Sequence, residues 1–156
     1  MGNNADPRLH IIAVTAIVEK AGKYLILKRS EREVVFPGFW TVPGGKVVRH
    51  DYESLPITPG SEGWYNIVNC TLEKEVKEEA NLEIEDIKYL TDMVFVRPDN
   101  IPTIVLSYYC KYKNGELKLG KDIVDYAWIM PEEGKNYKII PGILDEINAV
   151  HNIFKN

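Results

Sequence analysis

Thr71-Leu72-Glu73-Lys74-Glu75-Val76-Lys77-Glu78-Glu79-Ala80-Asn81-Leu82 is the stretch on which the reading of this chain turns. Four glutamates fall within seven positions. At about 100° per residue on a helix, Glu78 and Glu79 stand at about −60° and +40° from Glu75, so the three carboxylates share one stripe. Leu72, Val76 and Ala80 fall at about 60°, 100° and 140° and form an apolar stripe beside it. Such a helix buries one flank and shows concentrated negative charge on the next. Like charges three or four residues apart weaken a helix by roughly 0.2–0.5 kcal/mol per pair, so the arrangement calls for a cation. Lys74 and Lys77 supply two; a divalent metal is a better match, because hard cations favour carboxylate oxygens.

The 156 residues suit one domain with a sizeable core, and 45% hydrophobic with 27% charged residues is ordinary for a globular chain. A net charge of −4 gives no basic footprint for duplex nucleic acid. No apolar run approaches the ~20 residues of a membrane span. The start, Met-Gly-Asn-Asn-Ala-Asp-Pro, lacks the basic and apolar regions of a signal peptide. Cys70 and Cys110 are too few for a disulfide framework or a zinc site. They read as buried thiols of a reducing cytoplasm, with residues 1–8 a flexible lead.

Outward from the glutamate stretch, β-branched runs over 10–19 and 24–28 read as a hairpin around Lys20-Ala21-Gly22-Lys23. A short strand over 39–42 runs into Pro43-Gly44-Gly45, where the backbone bends sharply or approaches a ligand without a Cβ in the way. Residues 46–63 read as irregular, and a loop of this length is often functional. The glutamate helix is expected to begin between Ser61 and Trp64 and end at Ala80, with Asn81 as a left-handed C′ residue. Residues 83–86 read as acidic linker, 89–97 and 104–112 as strands, and Asn114-Gly115 as the strongest turn signal. A last strand covers 123–130, and an amphipathic helix covers 141–154 with Pro141 in its first turn. The sum is an α+β, three-layer α/β/α sandwich: a mixed sheet between the glutamate helix and the C-terminal helix.

Gly45, a loop, and then Lys74-Glu75-Val76-Lys77-Glu78-Glu79-Ala80-Asn81-Leu82 resemble the signature of the Nudix hydrolases, in which a Gly, a Glu six positions on, and an Arg-Glu-aliphatic-any-Glu-Glu-any-Gly-aliphatic run recur. Here Lys74 stands for Arg and Asn81 for Gly. Asp51 stands for the first Glu, and it precedes Lys74 by 23 positions against the usual eight, an insertion of 15. Phe39 to Gly45 and Tyr126 to Glu133 look like the strands that enter the signature and follow it.

The resemblance implies a metal-dependent pyrophosphohydrolase that cleaves a nucleoside diphosphate linked to some group X, with Mg²⁺ or Mn²⁺ as cofactor. It makes Glu75, Glu78, Glu79 and the Gly44 carbonyl metal ligands. Glu75 is also a candidate general base, Glu79 and Lys74 act with it in catalysis, and Asp122 is a further loop carboxylate with Asp125 behind it. Pro98, 16 positions after Leu82, is similar to the ADP-ribose pyrophosphatases and makes ADP-ribose the first candidate substrate. A sanitising (deoxy)nucleoside triphosphate pyrophosphohydrolase and a non-catalytic nucleotide sensor of the same fold are the alternatives. Arg97 and Phe95 share a strand face and suit phosphate and base. Trp64 and Tyr52 flank the insertion and offer stacking platforms, so that loop reads as a lid or specificity element. The expected partner is a nucleotide-derived small molecule, and a homodimer is open.

Overall fold

The computed structural model describes residues 6–156. The first five residues of the expected flexible lead lie outside them, and Pro7 and Arg8 form a turn. Strand β1 (Ile11–Lys20) turns through Ala21 and Gly22 into β2 (Lys23–Arg29). Gly22 takes φ +81°, a conformation without steric cost only for glycine. Strands β3 (Trp40–Thr41) and β4 (Gly44–Lys46) follow, then a short helix α1 (His50–Glu53) and the glutamate helix α2 (Ile67–Ala80). Strands β5 (Glu83–Val96), β6 (Pro102–Asn114) and β7 (Ile123–Ile129), a 3-10 turn over Pro131–Asn136 and helix α3 (Ile143–Lys155) complete the chain.

The sheet has seven strands in the order β3-β2-β1-β6-β5, with β4 also against β1 and β7 against β2. It is mixed: β1 runs parallel to β6 from Ile11↔Thr103 to Glu19↔Lys111, while its pairs with β2 and β4 are antiparallel. Alternation along the central strands splits the core in two. Val14, Ala16, Val18, Leu25 and Leu27 pack with Leu72, Val76 and Ala80 of α2. Ile17, Tyr24 and Ile26 face the other way and pack with Ile143, Ile147 and Val150 of α3. This is the expected α+β, three-layer arrangement, and it holds the glutamate helix by its apolar stripe with the acidic stripe outside. No helix among the described residues is long and apolar enough to cross a membrane.

Several local expectations are corrected. Helix α2 starts at Ile67, not between Ser61 and Trp64, because the loop uses the intervening polar groups itself. The Ser61 hydroxyl donates to the Thr58 carbonyl at 2.7 Å, the Tyr65 N–H donates to the Thr58 hydroxyl at 3.1 Å, and Asn66 takes a left-handed φ of 64° before the helix. Residues 83–86 are strand rather than linker. Glu83 and Ile84 pair with Asn114 and Tyr112, and burial of Leu82 and Ile84 draws the acidic neighbours into the ladder. Pro141 precedes α3 instead of opening it, since Gly142 at φ 97° makes the turn into the helix. Cys70 is exposed, not buried; only Cys110 lies in the core. Residues 46–63 are not irregular throughout, because α1 lies within them.

Candidate active site

The acidic stripe of α2 meets a bare-backbone strand. Gly44 and Gly45 pair with Thr15 and Val14 of β1, which brings β4 against the helix. A Cβ on Gly44 would lie 2.5 Å from the Val14 carbonyl oxygen, and one on Gly45 would overlap the Glu75 carboxyl group. Gly44 is therefore required by the close approach of backbone, whereas a Cβ on Gly45 meets only the flexible Glu75 side chain. Across that contact the Gly44 N–H donates to Glu79 Oε1 at 2.8 Å.

The second wall comes from the segment between β6 and β7. Asn114-Gly115 does not close a hairpin; it turns the chain back over the C-terminal end of α2. There the N–H groups of Lys118 and Gly120 donate to the carbonyls of Ala80 and Glu79 at 3.0 and 2.9 Å, satisfying acceptors that a helix end leaves open. Gly120 sits so close that a Cβ would overlap the Glu78 carbonyl oxygen. This seating places Lys121 and Asp122 beside the glutamates. Glu75, Glu78, Glu79, Gly120, Lys121, Asp122 and Ile123 line one cavity of about 320 Å³.

The electrostatics are those of an acidic site short of positive charge. Burial pushes the Glu79 carboxyl up to about 8; neighbouring Glu75 and Glu33 push the same way, and the Gly44 N–H and Arg29 oppose. Glu75 is also raised, first by burial, against the pull of Lys74. Lys74 donates to Asp51 Oδ2 at 3.1 Å and stands 3.6 Å from both Glu75 Oε1 and Glu78 Oε1. Asp51 holds the ammonium above its usual range. The insertion thus folds back on itself. Helix α1 carries Asp51 to Lys74 of α2, although Asp51 is not among the residues lining the cavity.

Among the described residues no three His, Cys, Asp or Glu side chains converge closely enough to cage one ion. The carboxylates line a cavity instead, with Glu79 engaged by a backbone N–H. The donor set still fits a hard divalent ion. It is all oxygen, desolvation raises the half-buried Glu79 carboxyl to about 8, and Mg²⁺ keeps several waters and takes few protein ligands.

Of the substrate residues, none of the four lines this cavity. Tyr52 and Trp64 stack on each other at 5.1 Å, and the Trp64 indole N–H donates to the Leu55 carbonyl at 2.9 Å, so they staple the insertion together. Phe95 is half-buried on β5 opposite Thr103, and Arg97 pairs with Asp99 at 2.8 Å just beyond that strand. Three neighbours were not foreseen: Lys121, and the pair Arg29–Glu33 (3.0 Å), which acts on Glu79 from the end of β2. No spacing links these to the glutamate run, because only the sheet brings them together.

The fold thus sets the acidic face of α2 against a bare-backbone strand and the 115–122 segment. No family model matches the chain. A nucleoside triphosphatase, NudI of Escherichia coli strain UMN026, is 27% identical over 137 residues, covering 81% of this chain and 86% of its own length. The MutT protein of Methanosarcina mazei superposes with a TM-score of 0.67 at 21% identity, over 97% of this chain and 100% of that one. The Nudix domain of Shewanella oneidensis NrtR, solved with ADP-ribose, gives 0.70 at 16% identity over 97% and 94%. The chain has the fold of the Nudix hydrolases and is similar in sequence to a nucleoside triphosphatase.

Proposed function

We propose that the chain hydrolyses nucleoside triphosphates to a nucleoside monophosphate and pyrophosphate with a divalent metal, Mg²⁺ or Mn²⁺. The observation that carries this reading is the cavity in which Glu75, Glu78 and Glu79 meet Asp122 beneath Gly44. The choice of a triphosphate over ADP-ribose follows the sequence likeness to a nucleoside triphosphatase over most of both chains.

In this reading Glu75, Glu78, Glu79, Asp122 and the Gly44 carbonyl would hold the metal, which would supply charge neutralisation and a more acidic water at the anhydride. Glu79 must surrender its proton to act as a ligand. Lys74, pinned by Asp51, holds Glu75 in place as the candidate general base. Lys121 adds a positive charge to a cavity wall otherwise made of carboxylates. The two free cysteines fit a reducing compartment such as the cytoplasm.

A second reading, ADP-ribose hydrolysis, is favoured by Pro98 at its spacing and by the likeness to a domain solved with ADP-ribose. Products decide between the two. Purified protein with Mg²⁺ is offered a nucleoside triphosphate panel and ADP-ribose. Pyrophosphate from triphosphates supports the first reading; AMP with ribose 5-phosphate supports the second. No turnover of any member overturns both.

A further inference from the structure

Among the described residues strand β5 pairs only with β6, so its other edge is free. A free edge offers unpaired N–H and C=O groups to any other strand, and folded chains blunt such edges with bulges and charges. The first half of β5 is blunted in that way. It carries an extra residue between Glu85 and Lys88 and another between Tyr89 and Thr91. Asp86, in the first of these bulges, takes a left-handed φ of 54°. Glu83, Glu85, Asp86 and Lys88 stand along the same half.

The second half has none of these devices. From Thr91↔Ser107 to Val96↔Pro102 the ladder is regular, and Met93-Val94-Phe95-Val96 is apolar throughout. Met93, Val94 and Val96 are exposed, the last two at 56% and 61%. The exposure continues across the sheet in register: Val94 pairs with half-buried Ile104, and Ile104 with exposed Ile12. A chain that protects one half of an edge strand and leaves the other half regular, apolar and open points to a strand that covers the open half.

The residues of β5 are complementary to themselves. Antiparallel pairing about a two-fold axis through Val94 sets Val94 against the partner's Val94, Met93 against the partner's Phe95, Asp92 against the partner's Val96 and Thr91 against the partner's Arg97. Each pair has both side chains on one face. Met93 and Phe95 alternate with Asp92, Val94 and Val96 along a ladder that has no bulge between them. No like charges meet, and like charges directly opposite are what destabilise a strand pair. Lys88, two ladder steps beyond Thr91 once the bulge is counted, is carried toward the partner's Asp99, two residues past Arg97. Other registers fit less well. A shift of one residue opposes side chains of different faces. A shift of two either sets Asp92 against Pro98 or runs Val96 onto the bulge at Leu90.

We propose that two copies of this chain join edge to edge along residues 91–97, with Val94 on the two-fold axis, so that one sheet continues through both protomers. The contact is isologous and uses both free halves, so assembly stops at a dimer. It is independent of which anhydride the chain hydrolyses.

The test is sedimentation velocity of the full chain over a hundredfold range of concentration. The wild type is expected to reach twice the 17.8 kDa of one chain. Val94→Lys puts two ammonium groups face to face on the axis and should weaken the dimer by about a hundredfold or more. Val96→Lys removes the same side chain from an equally exposed position, yet sets its ammonium against the partner's Asp92, and should weaken the dimer by less than about tenfold. Equal weakening by the two variants, no weakening by Val94→Lys, or a monomer at every concentration overturns the proposal; the last outcome leaves the open edge to a strand of another protein. If Val94→Lys does not fold, Val94→Cys labelled with pyrene in a Cys70→Ser background carries the comparison, Cys110 being buried. Excimer emission that falls on dilution is expected, and its absence overturns the idea.

Discussion

Glu79 is the residue on which the site depends most, because it is half-buried and desolvation raises it to about 8. An acid raised in the folded state keeps its proton there after the unfolded chain has lost it. Its contribution to stability is full below the ordinary value of 4.5 and is lost as pH rises through about 8. Metal-free protein is therefore expected to melt at progressively lower temperature between pH 5 and 8.5, and Glu79→Gln to flatten that slope; identical slopes in the two proteins would contradict the assignment. Metal binding must displace the same proton, so Mg²⁺ affinity should rise by up to tenfold per pH unit below about 8 and release protons measurable by calorimetry in buffers of different ionisation enthalpy. Glu79→Gln should also reduce kcat by two orders of magnitude or more. Gly45→Ala acts through its neighbour: the new methyl displaces the flexible Glu75 carboxyl rather than backbone. Loss of kcat with less than about 1 kcal/mol of stability lost is expected from parallel turnover and denaturation measurements, the small stability change following from the ease with which a flexible side chain moves.

At the scale of elements, α2 is held at its middle and at its end by different forces. Leu72 and Val76 are fully buried in its middle, and Leu72→Ala should cost about 2–5 kcal/mol in urea unfolding. At the end the 115–120 segment seats backbone on backbone. Gly120→Ala meets the Glu78 carbonyl, which does not move without the helix. It should destabilise by about 1–3 kcal/mol and lower activity together, in contrast to Gly45→Ala. The insertion is joined to α2 by the partly exposed Lys74–Asp51 pair. Such a pair contributes about 0–1 kcal/mol. Asp51→Asn is accordingly expected to leave the melting temperature nearly unchanged while lowering kcat through a less constrained Lys74; an unchanged kcat would limit Asp51 to tethering the loop.

Over the whole molecule, one sheet separates two packed faces. Its α2 face carries the carboxylates, and its α3 face carries Ser107 and Thr103 under α3. Strand β4, three residues long and paired with β1, brings Gly44 against Glu79 of α2. Metal removal by EDTA is expected to abolish turnover without unfolding, since both core clusters form from apolar side chains alone; loss of the far-ultraviolet dichroism signal in EDTA would show the metal to be structural instead.

By itself the sequence determined the elements with strong local causes. The 100° spacing of Leu72, Val76 and Ala80 against Glu75, Glu78 and Glu79 specified a two-sided helix, and β-branched runs specified the central strands. With Gly44-Gly45 and Asp122 they also indicated the class of chemistry. Boundaries set by competition were not legible. The start of α2 depends on loop hydrogen bonds to Thr58, and the 83–86 segment became strand only because Leu82 and Ile84 are buried. Tertiary structure alone decided which distant groups share the site. Asp51 reaches Lys74 across 23 positions, Lys121 and Asp122 arrive by seating on the end of α2, and Arg29 faces Glu79 from β2. It also decided the raised pKa of Glu79 and left Glu146 Oε1 and Thr103 Oγ1 without partners. Burial and long-range proximity are properties of the packed chain, and neither leaves a periodicity or a spacing in the sequence.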